Sequence, residues 1–147
     1  MPTVESEIII QAPADQVYAL AKDIERFPEF MADVQSVEIL EDVPPRRVSR
    51  WVGIVKEFNR TVSWTEEDFW DDQQRRCTFR QTEGDYTEYG GQWEFSAAPQ
   101  GTRVYLRIDF EYDVPLIGSL IKGLLQRKMQ QNCEDMLAAL KQQAEGL

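Results

Sequence analysis

The chain of 147 residues has no histidine, only two cysteines, and no apolar run that approaches the roughly 18 residues a membrane-spanning helix needs. Without histidine, neither a Ser/His/Asp nor a Cys/His catalytic arrangement can be assembled. A zinc site would have to be built almost wholly from carboxylates, so no metal or other cofactor is expected. Cys77 and Cys133 are far apart in the chain, neither sits in a CxxC pair, and both have apolar neighbours, which reads as two buried thiols. There is no glycine-rich phosphate loop, no internal repeat and no linker. Gly90-Gly91 falls inside a strand pattern and is expected to mark a bulge or sharp bend. The opening segment MPTVESEIII carries acids where a signal peptide carries bases, so a cytoplasmic location is expected.

Basic charge is also scarce. Sixteen Lys and Arg against 26 Asp and Glu leave a formal net charge of −10. That balance argues against DNA or RNA backbones and anionic lipid surfaces as partners, because local positive charge supplies much of such affinity. Arg46, Arg47 and Arg50 are the one local exception, and they read as a solvated strand end.

What the chain does have is 42% hydrophobic residues arranged in clear periods, enough for the core of one domain spanning residues 1–147. Residues 4 to 10 form a β-branched strand. Pro13 is suited to a first helical position, and Val17, Leu20 and Ala21 give a short helix its apolar face. Asp23 is placed to cap a further helical turn, and the chain is expected to bend at Phe27-Pro28. From Val34 the period becomes two, through six strands separated by turns at Pro44-Pro45, Lys56-Glu57, the segment after Trp70, Gly84-Asp85 and Gln100-Gly101. Such short connections require antiparallel neighbours. Apolar residues then recur at three- and four-residue steps from Leu116 to Leu140, predicting a helix of about 29 residues if it runs from Leu116 to Ala144, with a start at Ser119 as the alternative.

The fold class is therefore α+β, with seven curved antiparallel strands, two short helices and a long C-terminal helix across the sheet. The strands carry many wide aromatics, and buried indoles and phenols need polar partners, which favours a partly open cavity over a dry core. Candidate cavity residues on the sheet are Trp51, Arg60, Trp64, Phe79, Tyr89, Trp93, Phe95 and Phe110. Phe27 and Phe30 are candidates for the mouth. Ile117, Leu120, Ile121 and Leu124 are candidates on the last helix, whose segment from Met129 onward reads as ordinary amphipathic cover. In the strand from Phe58 to Trp70, an inward Val62 and Trp64 would bring Arg60, Glu66 and Asp68 inward with them. The opposite parity would bring Thr61, Ser63 and Thr65 inward, and alternation alone does not choose. No catalytic residue can be singled out.

The segments EIIIQAPADQVYAL (Glu7 to Leu20), DIERFPEF (Asp23 to Phe30), GQWEF (Gly91 to Phe95) and GTRV (Gly101 to Val104), with the terminal helix, resemble the START-like (SRPBCC) superfamily. Within it they resemble the polyketide cyclase/dehydrase and coenzyme Q-binding Coq10-like branch. The resemblance implies a helix-grip (START/Bet v 1-like) fold closed around a hydrophobic cavity. It also implies binding or transport of a hydrophobic small molecule such as a lipid, an isoprenoid quinone or a polyketide-like compound. Two alternatives come with it, a polyketide cyclase/aromatase and a protein or ribosome interaction module. A cavity of about 300 Å³ or more is the expectation for a small-molecule site.

Overall fold

In the computed structural model, residues 2–55, 59–112 and 119–146 are described, apart from the side chains at positions 119–121. The chain runs β1 (Thr3–Ile10), α1 (Ala14–Lys22), a 3₁₀ turn (Ile24–Arg26) and α2 (Phe27–Phe30). It continues through β2 (Val34–Val43), β3 (Arg46–Val55), β4 (Arg60–Asp71), β5 (Arg76–Gly84), β6 (Glu88–Ala98) and β7 (Gly101–Glu111), and ends in α3 (Ser119–Ala144). This is the expected helix-grip arrangement. The seven strands form one antiparallel sheet in the order β1-β7-β6-β5-β4-β3-β2. Five consecutive hairpins take the chain from β2 to β7, and β1 closes the row by pairing with β7 over its whole length. No described helix is long and apolar enough to cross a membrane.

Strict alternation fixes the inner face. On β7, Thr102, Val104, Leu106, Ile108 and Phe110 are all buried, as a strand with one face on the core requires. Trp93 and Phe95 continue that face on β6, Cys77 and Phe79 on β5, and Val62, Trp64 and Trp70 on β4. α3 lies over β1 and β7. Its Cys133, Leu137 and Leu140 are buried, and Cys133 Sγ lies 3.7 Å from the Leu106 carbonyl oxygen. Polar ties hold its rim, with Gln130 Nε2 donating to the Glu5 carbonyl (2.9 Å) and Lys141 Nζ to that of Ile9 (3.0 Å). Both cysteines are free and buried.

Four local expectations are corrected. Pro13 is the residue before α1, in extended conformation, not its first helical residue. The chain does not break at Phe27-Pro28, because Phe27 is itself helical and opens α2, leaving Pro28 in the first turn where its missing N–H costs nothing. Asp23 precedes the 3₁₀ turn but makes no side-chain cap. Gly90-Gly91 is not a bulge between β6 and β7, whose register is unbroken from Glu88 to Ala98. Gly91 answers a close approach instead, since a Cβ there would lie 2.0 Å from the Arg107 carbonyl oxygen and 2.7 Å from the Phe79 ring. The arginines of β3 form no free basic patch: Arg46 is held by Glu41 and Glu67, and Arg47 reaches Asp42 and the Lys22 carbonyl.

Candidate functional site

Because β3 and β4 pair without a register shift, three inward rows lie side by side: Trp51 opposite Trp64, Ser49 opposite Glu66, and Arg47 opposite Asp68. The two indoles stack, with centroids 5.9 Å apart and planes 7° from parallel. They form one wall of a cavity between sheet and helix. Phe79, Trp93, Leu106 and Ile108 continue the sheet side, Tyr86 and Tyr89 close one flank, and Met129, Asn132 and Met136 of α3 form the roof. The cavity measures about 80 Å³, well under the expected size.

Its polar groups are few. Glu66 (5% exposed) lines the cavity with Asp68 (2%) immediately behind it. Trp64 Nε1 donates to Glu66 Oε1 at 2.8 Å. Ser49 Oγ donates to Asp68 Oδ2 at 2.9 Å and accepts from Trp51 Nε1 at 3.0 Å. Burial raises the proton affinity of Glu66 well above that of an ordinary carboxylate. The charge and the closeness of the Asp68 carboxyl add to the effect, against the opposing Trp64 donor. Burial raises Asp68 as well, opposed by the adjacent Glu66 carboxyl, by the Ser49 donor and by the nearby Arg47. Burial likewise raises the Tyr89 phenol, with smaller contributions from Tyr86 and Glu66. The Asn132 side-chain amide makes no hydrogen bond with any described residue, so it is available to the cavity.

Of the candidates named from sequence, Trp51, Trp64, Phe79, Tyr89 and Trp93 line this space. Phe27 and Phe95 are buried one layer away, Phe27 edge-on to Trp51 at 5.8 Å and Phe95 stacked on Trp93 at 5.9 Å. Phe30 packs on Phe27. Phe110 belongs to a separate small hollow with Pro2, Tyr112, Lys122 and Leu125. Arg60 is exposed at the first position of β4 and does not reach the cavity. Leu124 is half-buried outside it. Ile117 and the side chains of Leu120 and Ile121 lie outside the described residues.

Two readings shift. The parity of β4 brings Val62, Trp64, Glu66 and Asp68 inward, so the acids are buried while the arginine at the strand end is not. The segment from Met129 onward is not merely cover, because it supplies the roof. Asn132 is the sequence signal for that role, a polar residue between Met129 and Met136 on the helix face that meets the sheet.

A profile described as polyketide cyclase/dehydrase and lipid transport matches residues 10–137. The match is to the family, not to its Coq10-like branch. A crystal structure of a Thermus thermophilus protein superposes with a TM-score of 0.93 at 37% identity, covering 99% of this chain and 98% of the other. The actinorhodin polyketide synthase bifunctional cyclase/dehydratase of Streptomyces coelicolor is 34% identical over 68% of this chain, which spans only 32% of that relative. The ribosome association toxin RatA of Escherichia coli is 26% identical over 88% of this chain and 84% of its own length.

Proposed function

The chain belongs to the polyketide cyclase/dehydrase and lipid transport family, and from that premise we propose that it binds a flat, largely apolar small molecule between the sheet and α3. The observation that carries this is the wall itself. Trp51, Trp64, Phe79, Tyr89 and Trp93 present aromatic faces to a space holding only a few polar groups, the usual makeup of a small-molecule site. The present 80 Å³ is too small for a polyketide or quinone ring system, so binding requires the roof to move. Met129 and Met136 suit that role, since unbranched thioether side chains repack at low cost. Native mass spectrometry of protein purified from its own organism, followed by titration with quinones, fatty acids and aromatic polyketides, tests the reading. Absence of any copurifying molecule together with no binding across the panel rejects it.

A cyclase or dehydratase activity is the second reading, favoured by one observation. Glu66 is a carboxyl group at the cavity wall with raised proton affinity, able to give a proton to a ligand oxygen and take one back from an adjacent carbon. Turnover of a poly-β-keto thioester, abolished in Glu66→Gln while binding persists, supports this activity. Binding without turnover leaves the carrier role alone.

A further inference from the structure

We propose that Glu66 and Asp68 hold a single proton between them at neutral pH, and that this pair is the polar anchor of the cavity. In that role it accepts a hydrogen bond from a neutral hydroxyl of phenol or enol type and turns carboxylates away. The second half rests on the proposed ligand-binding role; the first does not.

The geometry leaves little else for these side chains to do. They stand two residues apart on the inner face of β4, 5% and 2% exposed, and neither forms an ion pair among the described residues. Three of the surrounding polar contacts are assigned: Trp64 to Glu66 Oε1, Ser49 to Asp68 Oδ2, and Trp51 to Ser49. With both carboxyls ionised, and so acceptors only, Asp68 Oδ1 is buried without a partner. Yet the two carboxyl groups are within hydrogen-bonding reach of each other. Two carboxylates cannot hydrogen-bond, whereas an acid and a carboxylate can. One proton between Glu66 and Asp68 Oδ1 joins Trp51, Ser49, Asp68, Glu66 and Trp64 into one continuous chain and satisfies the orphaned oxygen.

The surrounding charges are consistent with a single proton. Arg47, opposite Asp68 on β3, favours one negative charge on the pair; its terminal NH groups bond Asp42 and the Lys22 carbonyl, while its Nε is buried without a partner. Glu67 on the other face of β4 opposes a second charge. Cys77 on β5 and Tyr89 on β6 are buried and neutral beside the pair, the α3 residues facing the cavity are Met129, Asn132 and Met136, none charged, and Asp33, just before β2, lines the same cavity as a further carboxylate.

Ligand preference follows from hydrogen-bond direction. At rest the one proton is used inside the pair, so what the resting pair offers a bound hydroxyl is acceptor capacity on an assembly of net charge −1. A neutral hydroxyl can use it. A carboxylate brings a second anion into a site walled by aromatic rings, where repulsion is weakly screened.

The experiment uses the whole protein with carbon-13 labels in the Glu and Asp carboxyls, assigned with Glu66→Gln and Asp68→Asn. The expected result is a Glu66/Asp68 pair still carrying one proton at neutral pH, and two ordinary ionised signals overturn the pair. Phenol and benzoate, matched in ring and differing in the polar group, are then titrated while the Trp64 indole N–H signal is followed. Phenol is expected to bind about tenfold or more tightly than benzoate. The double variant Glu66→Gln/Asp68→Asn removes the charge at nearly constant shape and should bring the ratio close to one. An unchanged ratio in the double variant overturns the anchor. A shared proton with no binding of either probe overturns the anchor and the ligand-binding role together. Ionised carboxylates alongside clear phenol binding overturn the pair and leave that role standing.

Discussion

Trp51 and Trp64 face each other in register across β3 and β4, and each indole N–H is spent on its own strand two residues away, Trp51 on Ser49 and Trp64 on Glu66. Stacking and hydrogen bonding therefore act on the same pair of side chains. Trp64→Phe keeps an aromatic ring but removes the donor to a buried carboxyl, and should destabilise the fold by about 1–3 kcal/mol in urea denaturation. Trp51→Phe should cost less, because Ser49 still donates to Asp68 without it. Equal losses for the two variants would contradict the assigned network.

The pH profile of stability carries the signature of Glu66. Its proton affinity is higher folded than unfolded, so its contribution to stability is complete below its ordinary pKa of 4.5 and is lost as the pH climbs toward the folded value. Glu7, Glu67, Asp72 and Glu145 work in the opposite direction. Hydrogen bonds from Arg103, Arg46, Tyr18 and the Gln11 backbone, respectively, lower them, so their contribution fades as the pH falls. Glu7 and Asp72 are largely hydrated and act weakly, whereas the Glu67 and Glu145 side chains are mostly covered by their partners. Denaturation midpoints measured from mildly acidic to mildly alkaline pH should decline in the wild type and run flatter in Glu66→Gln, with the variant relatively more stable on the alkaline side. Parallel profiles for the two proteins would remove Glu66 as the cause.

Much of this architecture is legible in the sequence because it depends on period. β7 reads as a strand from Val104, Leu106, Ile108 and Phe110 alone, and the turns between β2 and β7 fall where Pro44-Pro45, Gly84-Asp85 and Gln100-Gly101 place them. The site is only partly legible, for physical reasons. Aromatic residues advertise a wall, so Trp64 and Tyr89 can be named in advance. A buried acid looks like a surface acid until the parity of its strand is known, and Glu66 is one of many carboxylates in this acidic chain. Arg60 shows the converse, since alternation would carry it inward but its place at the strand end leaves it in solvent. Asn132 depends on how α3 is rotated about its axis, which helical period alone does not fix to one residue.

Gly91 has no room to grow. Its amide plane lies so close to β7 that an added methyl group would meet the Arg107 carbonyl oxygen at 2.0 Å, and backbone on a central strand cannot step aside. Gly91→Ala should therefore lose more than about 3 kcal/mol of stability, at or beyond the upper end of ordinary overpacking. Gly123→Ala is the matched control, because nothing lies within 4 Å of a Cβ added there. At an exposed helical site it should be neutral or stabilising by up to about 1 kcal/mol. Thermal melts of the two variants give the comparison directly, and a mild effect at Gly91 would show that β6 and β7 can separate.

The two thiols offer a readout of global opening. Cys77 is buried on β5 between its cross-strand partners Trp70 and Trp93, and Cys133 is buried where α3 meets β7. Burial pushes the Cys133 thiol up to about 12 and the Cys77 thiol higher still, which leaves almost no thiolate, the reactive form, at neutral pH. A disulfide-exchange reagent should therefore modify neither cysteine in the native protein and both in urea. The two sites separate different motions. If α3 lifts to admit ligand while the sheet stays intact, Cys133 becomes reactive faster than Cys77, and a bound ligand slows it. If entry needs only the side chains of Met129 and Met136 to turn, both cysteines react at the same slow rate set by global unfolding. Labelling rates followed by mass spectrometry, with Cys77→Ser and Cys133→Ser to assign them, decide between a moving helix and a repacking roof.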